Sequence, residues 1–161
     1  MTESTQYIAS IVLDEKSIQR RAPEIEHERI VAMNDLIEWN HFSVKTPDGG
    51  EIQGPYDVAV AATENRVTLT IKSAAVKKPV TVTINLASFR SLIKDYFMIC
   101  ESYFDAIKTG NLQRIEAIDM SRRGLHNEGA DMLLNLTQEQ IDMEHETARR
   151  LFTLICALHL K

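Results

Sequence analysis

The stretch RVTLTIK, Arg66–Lys72, is followed seven residues later by VTVTINL, 80–86. In the first, Val67, Leu69 and Ile71 project one way while Thr68, Thr70 and Lys72 project the other. In the second, Val80, Val82 and Ile84 oppose Thr81 and Thr83. Side chains alternate across a strand, so this pattern gives one apolar face and one polar face. A sheet with one covered face and one wet face is the antiparallel kind. Just upstream, YDVAVAA sets Val58 and Val60 on a common face. The links TEN and SAAVKKP are short enough for hairpins. The three segments therefore predict an antiparallel meander that needs an apolar cover on one side.

Upstream of the meander, YIASIVL, 7–13, reads as a strand and DEKSIQRRAP as a polar connection. Pro23 suits the first turn of a helix, where its missing N–H costs nothing. That helix extends to about Asn40, with Ile30, Met33 and Ile37 at helical spacing and Leu36 beside them. FSV, 42–44, suits a short strand, and KTPDGGEIQGP a loop or wide turn.

Downstream the period becomes helical. From Phe89 the apolar positions are Leu92, Ile93, Tyr96, Phe97, Cys100, Tyr103, Phe104 and Ile107. Asn85 or Ser88 suits its N-cap, and Gly110 sits just past its end. Arg90, Lys94, Glu101, Asp105 and Lys108 form its solvated stripe. A further helix starts near Leu112, IDM at 141–143 reads as a stub of strand, and a last helix from about Thr147 buries Leu151, Leu154, Ile155 and Leu158. Strands cluster and helices cluster. The expected class is α+β: a mostly antiparallel sheet of about four or five strands, covered on one face by helices in two layers, in one domain over residues 1–161.

At 161 residues the chain is long enough to bury a core without disulfide or metal. Its net charge of -5 argues against general nucleic-acid binding, which needs a basic footprint. Cys100 and Cys156 lie in apolar runs and read as buried free thiols, which fits a reducing cytoplasm. The longest apolar run, LFTLICALHL, is half the length a membrane span needs, about 20 residues. No cofactor and no metal is expected, since P-loop, G-x-G-x-x-G, H-E-x-x-H and G-x-S-x-G patterns are all missing.

SRRGLHNEGAD, 121–131, concentrates polar chemistry. Either a helix ends at Arg123 with Gly124 in the left-handed position, or one helix runs from Leu112 to about Leu136. The continuous helix is preferred because one register yields three stripes. Leu112, Ile115, Ile118, Arg122, Leu125, Gly129, Met132 and Leu136 form an apolar one that only Arg122 interrupts. Ala117, Ser121 and Gly124 form a small one, where another backbone could approach, and Glu116, Asp119, Arg123 and His126 a polar one. The plain reading of the polar stripe is a solvated face with an Asp119–Arg123 pair and a surface His126. The functional reading has Arg123 and His126, with Asn127 and Glu128 at their edge, bind a small anionic ligand. In EIEHER, Glu24, His27 and Glu28 share a helical face and either suit acid–base or ligand chemistry or form a solvated first turn. His126 and Glu128 make an H-x-E without the P-C-x-x-C that a zinc deaminase requires. Cys156 and His159 lack the second ligand pair of a structural zinc site.

EHERIVAMNDLIEWN, FRSLIKDYFMICESYFDAI, IEAIDMSRRGLHNEGADML and TARRLFTLICALH together resemble a bacterial uncharacterised protein family, number 0262 of the UPF series, found in alphaproteobacteria. The resemblance implies a soluble, cytoplasmic bacterial protein and transfers no catalytic residue or cofactor. Two functional classes follow. One is a non-catalytic binding or regulatory module that meets a protein partner or a small anionic ligand. The other is a small hydrolase or transferase acting on an anionic molecule through Arg123, His126 and Glu128. A homodimer through a sheet edge or the Thr-rich face is compatible with either.

Overall fold

The alternating segments pair as their pattern requires. In the computed structural model, which describes residues 4–14, 23–63 and 65–159, the order is β1 (Ile8–Leu13), α1 (Pro23–Glu38), β2 (Phe42–Lys45), β3 (Glu51–Ile52), β4 (Tyr56–Ala62), β5 (Arg66–Ser73), β6 (Val80–Asn85), α2 (Arg90–Thr109), α3 (Leu112–Thr137), β7 (Ile141–Met143) and α4 (His145–His159). Most of the polar connection expected after Leu13, residues 15–22, lies outside the described residues.

β4, β5 and β6 form the antiparallel meander, with Val58 opposite Ile71, Leu69 opposite Val60 and Val82, and Val67 opposite Ile84. Tyr56, Val58, Val60, Val67, Leu69, Ile71, Val82 and Ile84 are all buried, while Thr81 and Thr83 are exposed. β1 adds to the free side of β4 in parallel, giving the order β1-β4-β5-β6. A parallel partner needs a crossover rather than a hairpin, and α1 lies on that connection. β3, β2 and β7 form a second, fully antiparallel sheet in that order. The fold is α+β as expected, but its strands divide between two sheets.

Side chains at strand ends join the parts. Gln6 donates to Ser43 at 2.9 Å, to the Ile52 carbonyl at 3.0 Å and to the Tyr56 hydroxyl at 2.7 Å, tying β2, β3 and β4 together. Asn40 accepts from the Ile8 amide at 2.6 Å and donates to the Ile8 and Leu36 carbonyls at 3.1 and 2.8 Å. One amide thus closes the end of α1 and fixes the start of β1. α4 is the central helix, with Leu151, Phe152, Leu154, Ile155, Cys156, Ala157 and Leu158 all buried. It packs against α1 and α3. Arg150 donates to the Asp35 carbonyl and lies over the Trp39 ring, holding the end of α1 to α4.

The buried face of α1 is only partly the one expected: Leu36 is buried and Met33 packs partly against the core. Ala32 is buried too, together with Arg29, which pairs with Glu26 at 2.9 Å, whereas Ile30 and Ile37 are exposed. α2 buries Leu92, Tyr96 and Cys100 as read, follows a 3-10 turn capped by Asn85, and ends at a left-handed Gly110. Phe97, on the same expected stripe, is half-buried and packs against the core.

Candidate functional site

α3 begins at Asn111, whose side chain accepts the Arg114 amide at 3.1 Å, and runs unbroken through Gly124 to Thr137. Asparagine satisfies one of the orphan amides of a first turn, which is why a helix can start there. Its buried face carries His126, Gly129, Ala130, Leu133 and Thr137. Gly129 is required by contact: a Cβ there would stand 2.4 Å from the ring of Phe152 on α4. Gly124 faces open space, so the small stripe of Ala117, Ser121 and Gly124 receives no neighbouring backbone.

With Phe152 seated on Gly129, one turn away His126 enters the core. It is 6% exposed, and its ring lies 5.4 Å from that of Tyr96 on α2. Tyr96 in turn meets Phe152 edge-on at 6.4 Å. Neither ring nitrogen of His126 has a hydrogen-bond partner among the described residues. An imidazole always has a donor and an acceptor, and leaving them unmade in a core costs free energy.

Burial is the largest effect on every shifted group around this ring, and it favours the neutral form of each. Burial holds the His126 pKa down at about 4, helped by the positive charges of Arg149 on α4 and Arg122 on α3, against weaker opposition from Asp119 and Glu146. Burial also raises the Cys100 thiol to about 11 and pushes the Cys156 thiol well above its ordinary value. The Tyr96 phenol is raised for the same reason. Arg122 is half-buried and lies over the Tyr103 ring, 5.3 Å from its centroid. Arg149 pairs with Glu146 at 3.5 Å.

The structure separates most of the residues singled out from the sequence. The Arg123 side chain is 68% exposed and pairs with Asp119 at 3.1 Å. Asn127 and Glu128 are exposed, as is His27. His126 is not a surface residue, because α3 turns it inward one position away from Leu125. Arg123 and His126 therefore do not share an open face. Glu28 is half-buried and acts electrostatically on both Tyr96 and Cys100, so it and His126 border the same region. The Glu24 side chain lies outside the described residues. Cys156 is buried, and the His159 nitrogens face the Ile155 and Thr63 carbonyls at 2.7 and 2.8 Å, so the two do not form a ligand pair. Among the described residues no cluster of three His, Cys, Asp or Glu is placed to hold a metal.

Sequence reasoning missed Tyr96, Arg122 and Arg149 as neighbours of His126. The available signal was Arg122, the one charge inside an otherwise apolar stripe. A charge on a stripe that packs marks either a partner or a site.

A model of the uncharacterised protein family UPF0262 matches residues 5–161. The chain belongs to this family. UPF0262 proteins similar to it include one from Rhodospirillum rubrum, 47% identical over 159 residues that cover 99% of this chain and 96% of the relative. One from Azorhizobium caulinodans is 45% identical, covering 96% and 94%. One from Paramagnetospirillum magneticum is 47% identical, covering 97% of each. No solved structure matches the UPF0262 chain. Among its described residues no helix is long and apolar enough to cross a membrane.

Proposed function

We propose that this protein is a non-catalytic binding module of the cytoplasm, and that it holds a small anion where α2, α3 and α4 meet, between His126, Arg122 and Arg149. The observation that carries the reading is the His126 ring, buried with both nitrogens unpartnered. A neutral imidazole offers one N–H to an anionic oxygen, and the two guanidinium groups supply charge-assisted donors. At the ring itself Arg149 and Arg122 act more strongly than Asp119 and Glu146, while Glu28 supplies the opposite sign nearer Tyr96 and Cys100.

The same surroundings argue for binding over catalysis. A general base works best with a pKa near the working pH, and His126 is held far below that. A thiol nucleophile reacts as thiolate, and burial keeps Cys100 and Cys156 protonated. The alternative of a hydrolase or transferase through Arg123, His126 and Glu128 would need a buried His126 to converge with an exposed Arg123 and Glu128.

The test is a thermal-shift series with inorganic phosphate, sulfate, acetate, citrate and nucleoside monophosphates. Binding to the folded state alone raises the melting temperature, with a stabilisation that grows as the logarithm of ligand excess over Kd. A rise with one anion that disappears in Arg122→Gln, Arg149→Gln and His126→Phe supports the site. Arg123→Gln is the control and should keep the rise. No shift with any anion, or a shift that survives all three changes, refutes it.

A further inference from the structure

The helical hairpin formed by α2 and α3 outruns the core that its proximal half covers. Along α2 the packing stripe passes from buried Tyr96 and Cys100 to Phe104 and Ile107, which are 38% and 49% exposed. Along α3 the stripe runs backward at intervals of four and three from buried Leu133, Gly129 and His126 to Arg122, Asp119, Ile115 and Leu112, the last 75% exposed. α4 meets α3 at Asp131, where His145 contacts it at 3.1 Å, and at Gly129, where Phe152 sits. No residue from 112 to 125 is buried, and past Cys100 only Ala106 of α2 is. The distal parts, 101–109 and 112–124, touch each other, as Arg122 over Tyr103 shows. They bury Ala106 and partly cover Tyr103, Ile115 and Ile118, but Phe104, Ile107, Leu112 and Met120 remain exposed.

Helical segments of about 12–15 residues are marginal in water without tertiary packing. An arm of this length, with Phe104, Ile107 and Leu112 exposed, gains stability from a cover. We infer that the distal α2–α3 hairpin is a dimerisation arm, and that its cover is the same arm of a second copy, the two hairpins closing into a four-helix bundle.

Charge favours a second copy as the occupant. Residues 101–124 carry four positive groups, Lys108, Arg114, Arg122 and Arg123, and four negative ones, Glu101, Asp105, Glu116 and Asp119. The arm is therefore neutral, while the whole chain carries -5. Two copies repel least where they meet through this segment. Its signs are also split. The α2 part holds one positive and two negative groups, and the α3 part three positive and two negative. In a two-fold pair, α2 of each copy can face α3 of the other with opposite net charge, as a self-complementary interface requires. Among the described residues Glu101, Asp105, Lys108, Arg114 and Glu116 form no ion pair within the chain, so both signs remain free for a partner. Size agrees as well. The arm spans 24 residues, so both of its helices can contribute to one contact patch. The β6 edge is the weaker rival, since Lys77, Lys78 and Pro79 precede it, and lysine and proline blunt strand edges.

The experiment is sedimentation equilibrium on the full chain over a micromolar concentration series, with Ile107→Glu/Leu112→Glu as the comparison. The wild type should approach twice the 18.3 kDa of one chain, and the double variant should stay at one chain with an unchanged circular dichroism spectrum. Hydrogen exchange of the wild type at low and high concentration provides a readout that needs no variant. Amides of residues 101–124 should gain protection as concentration rises, while those of β5 should not. A wild type that remains a monomer throughout overturns the proposal, including one whose arm captures a different protein. So does a dimer that the double variant leaves intact. If the double variant fails to fold, the exchange data decide, and protection independent of concentration overturns the proposal equally. None of these outcomes bears on the anion site, whose thermal shifts are read on the same wild type.

Discussion

Replacing His126 with phenylalanine should remove a specific part of the protein's acid sensitivity. The folded state holds this imidazole at about 4 against 6.5 for an unperturbed histidine. A depressed histidine pKa means that the fold prefers the neutral ring. Its contribution is whole above the unfolded value, near pH 6.5, and is lost as pH falls toward the folded value, near pH 4. In that window the unfolded chain binds a proton that the native one refuses, so unfolding is favoured by acid. The gap of the two values sets a ceiling of about 3.5 kcal/mol, at roughly 1.4 kcal/mol per unit. At pH 5 the loss works out at roughly 2 kcal/mol. At 6% exposure the ring needs no large discount for solvent screening. The groups acting on it are Arg149 and Arg122, which deepen the depression, and Asp119 and Glu146, which oppose it. Urea denaturation of wild type and His126→Phe at pH 7.5 and 5.0 isolates the effect, because the titrating carboxylates are common to both. Wild type should lose about 2 kcal/mol more than the variant between the two conditions. At pH 7.5 the variant should be as stable as wild type or slightly more so, since it leaves no buried nitrogen unpartnered. Equal acid losses in the two proteins, within about 0.5 kcal/mol, would refute the reasoning.

The two glycines of α3 should respond in opposite directions. Gly124→Ala enters open space on a helix and should stabilise by about 1 kcal/mol. Gly129→Ala drives a methyl group into the Phe152 ring and should cost about 1–3 kcal/mol, both read as shifts in urea midpoint. Cys100, buried and with its thiol raised to about 11, should react with a thiol reagent in the native protein no faster than global unfolding allows; rapid labelling would show that α2 is open there. Asn40→Ala strips three partners from Ile8 and Leu36 and should destabilise by about 1–3 kcal/mol, with Asn40→Asp intermediate because it still accepts from the Ile8 amide.

The sheet was legible because a strand's period is two residues and its faces differ in kind. Val67, Leu69 and Ile71 lie inside whatever their neighbours are, and they do. Pairing partners are another matter. Alternation in YIASIVL says nothing of whether it lies beside β4 or at the far edge, or in which direction, and β1 proves parallel. FSV and IDM are too short to carry a pattern. Their union in a second sheet rests on long-range contacts such as Phe42 opposite Met143, which no local signal encodes.

Helix faces failed in a more instructive way, and the failure hid the site. On α3 Gly129 is buried and Leu125 and Met132 pack partly against the core as expected, but Leu136 is exposed and the fully buried line is His126, Gly129 or Ala130, Leu133 and Thr137. On α1 Leu36 is buried and Met33 packs partly against the core, as read, while Ile30 and Ile37 are exposed and Arg29 and Ala32 are buried in their place. In both cases the error is about one residue, or 100° around the axis. Counting large apolar residues picks the wrong edge of a wide stripe when the partner brings the bulk. α4 presents Phe152 and α2 presents Tyr96, so the part of α3 that meets them has to be small, and Gly129 and Ala130 are what fits. A histidine can then enter the core beside them, since space has been made on that face for aromatic rings. Read in steps of three and four, Leu112, Ile115, Asp119, Arg122, His126, Gly129 and Leu133 are one line. Its buried end is the core, its free end is the arm, and the charged residues between them fall where the core stops. A polar residue on such a line is therefore informative by its position. His126 lies where the line is covered, and Arg122 lies at the boundary, within reach of both the candidate anion site and the proposed partner arm.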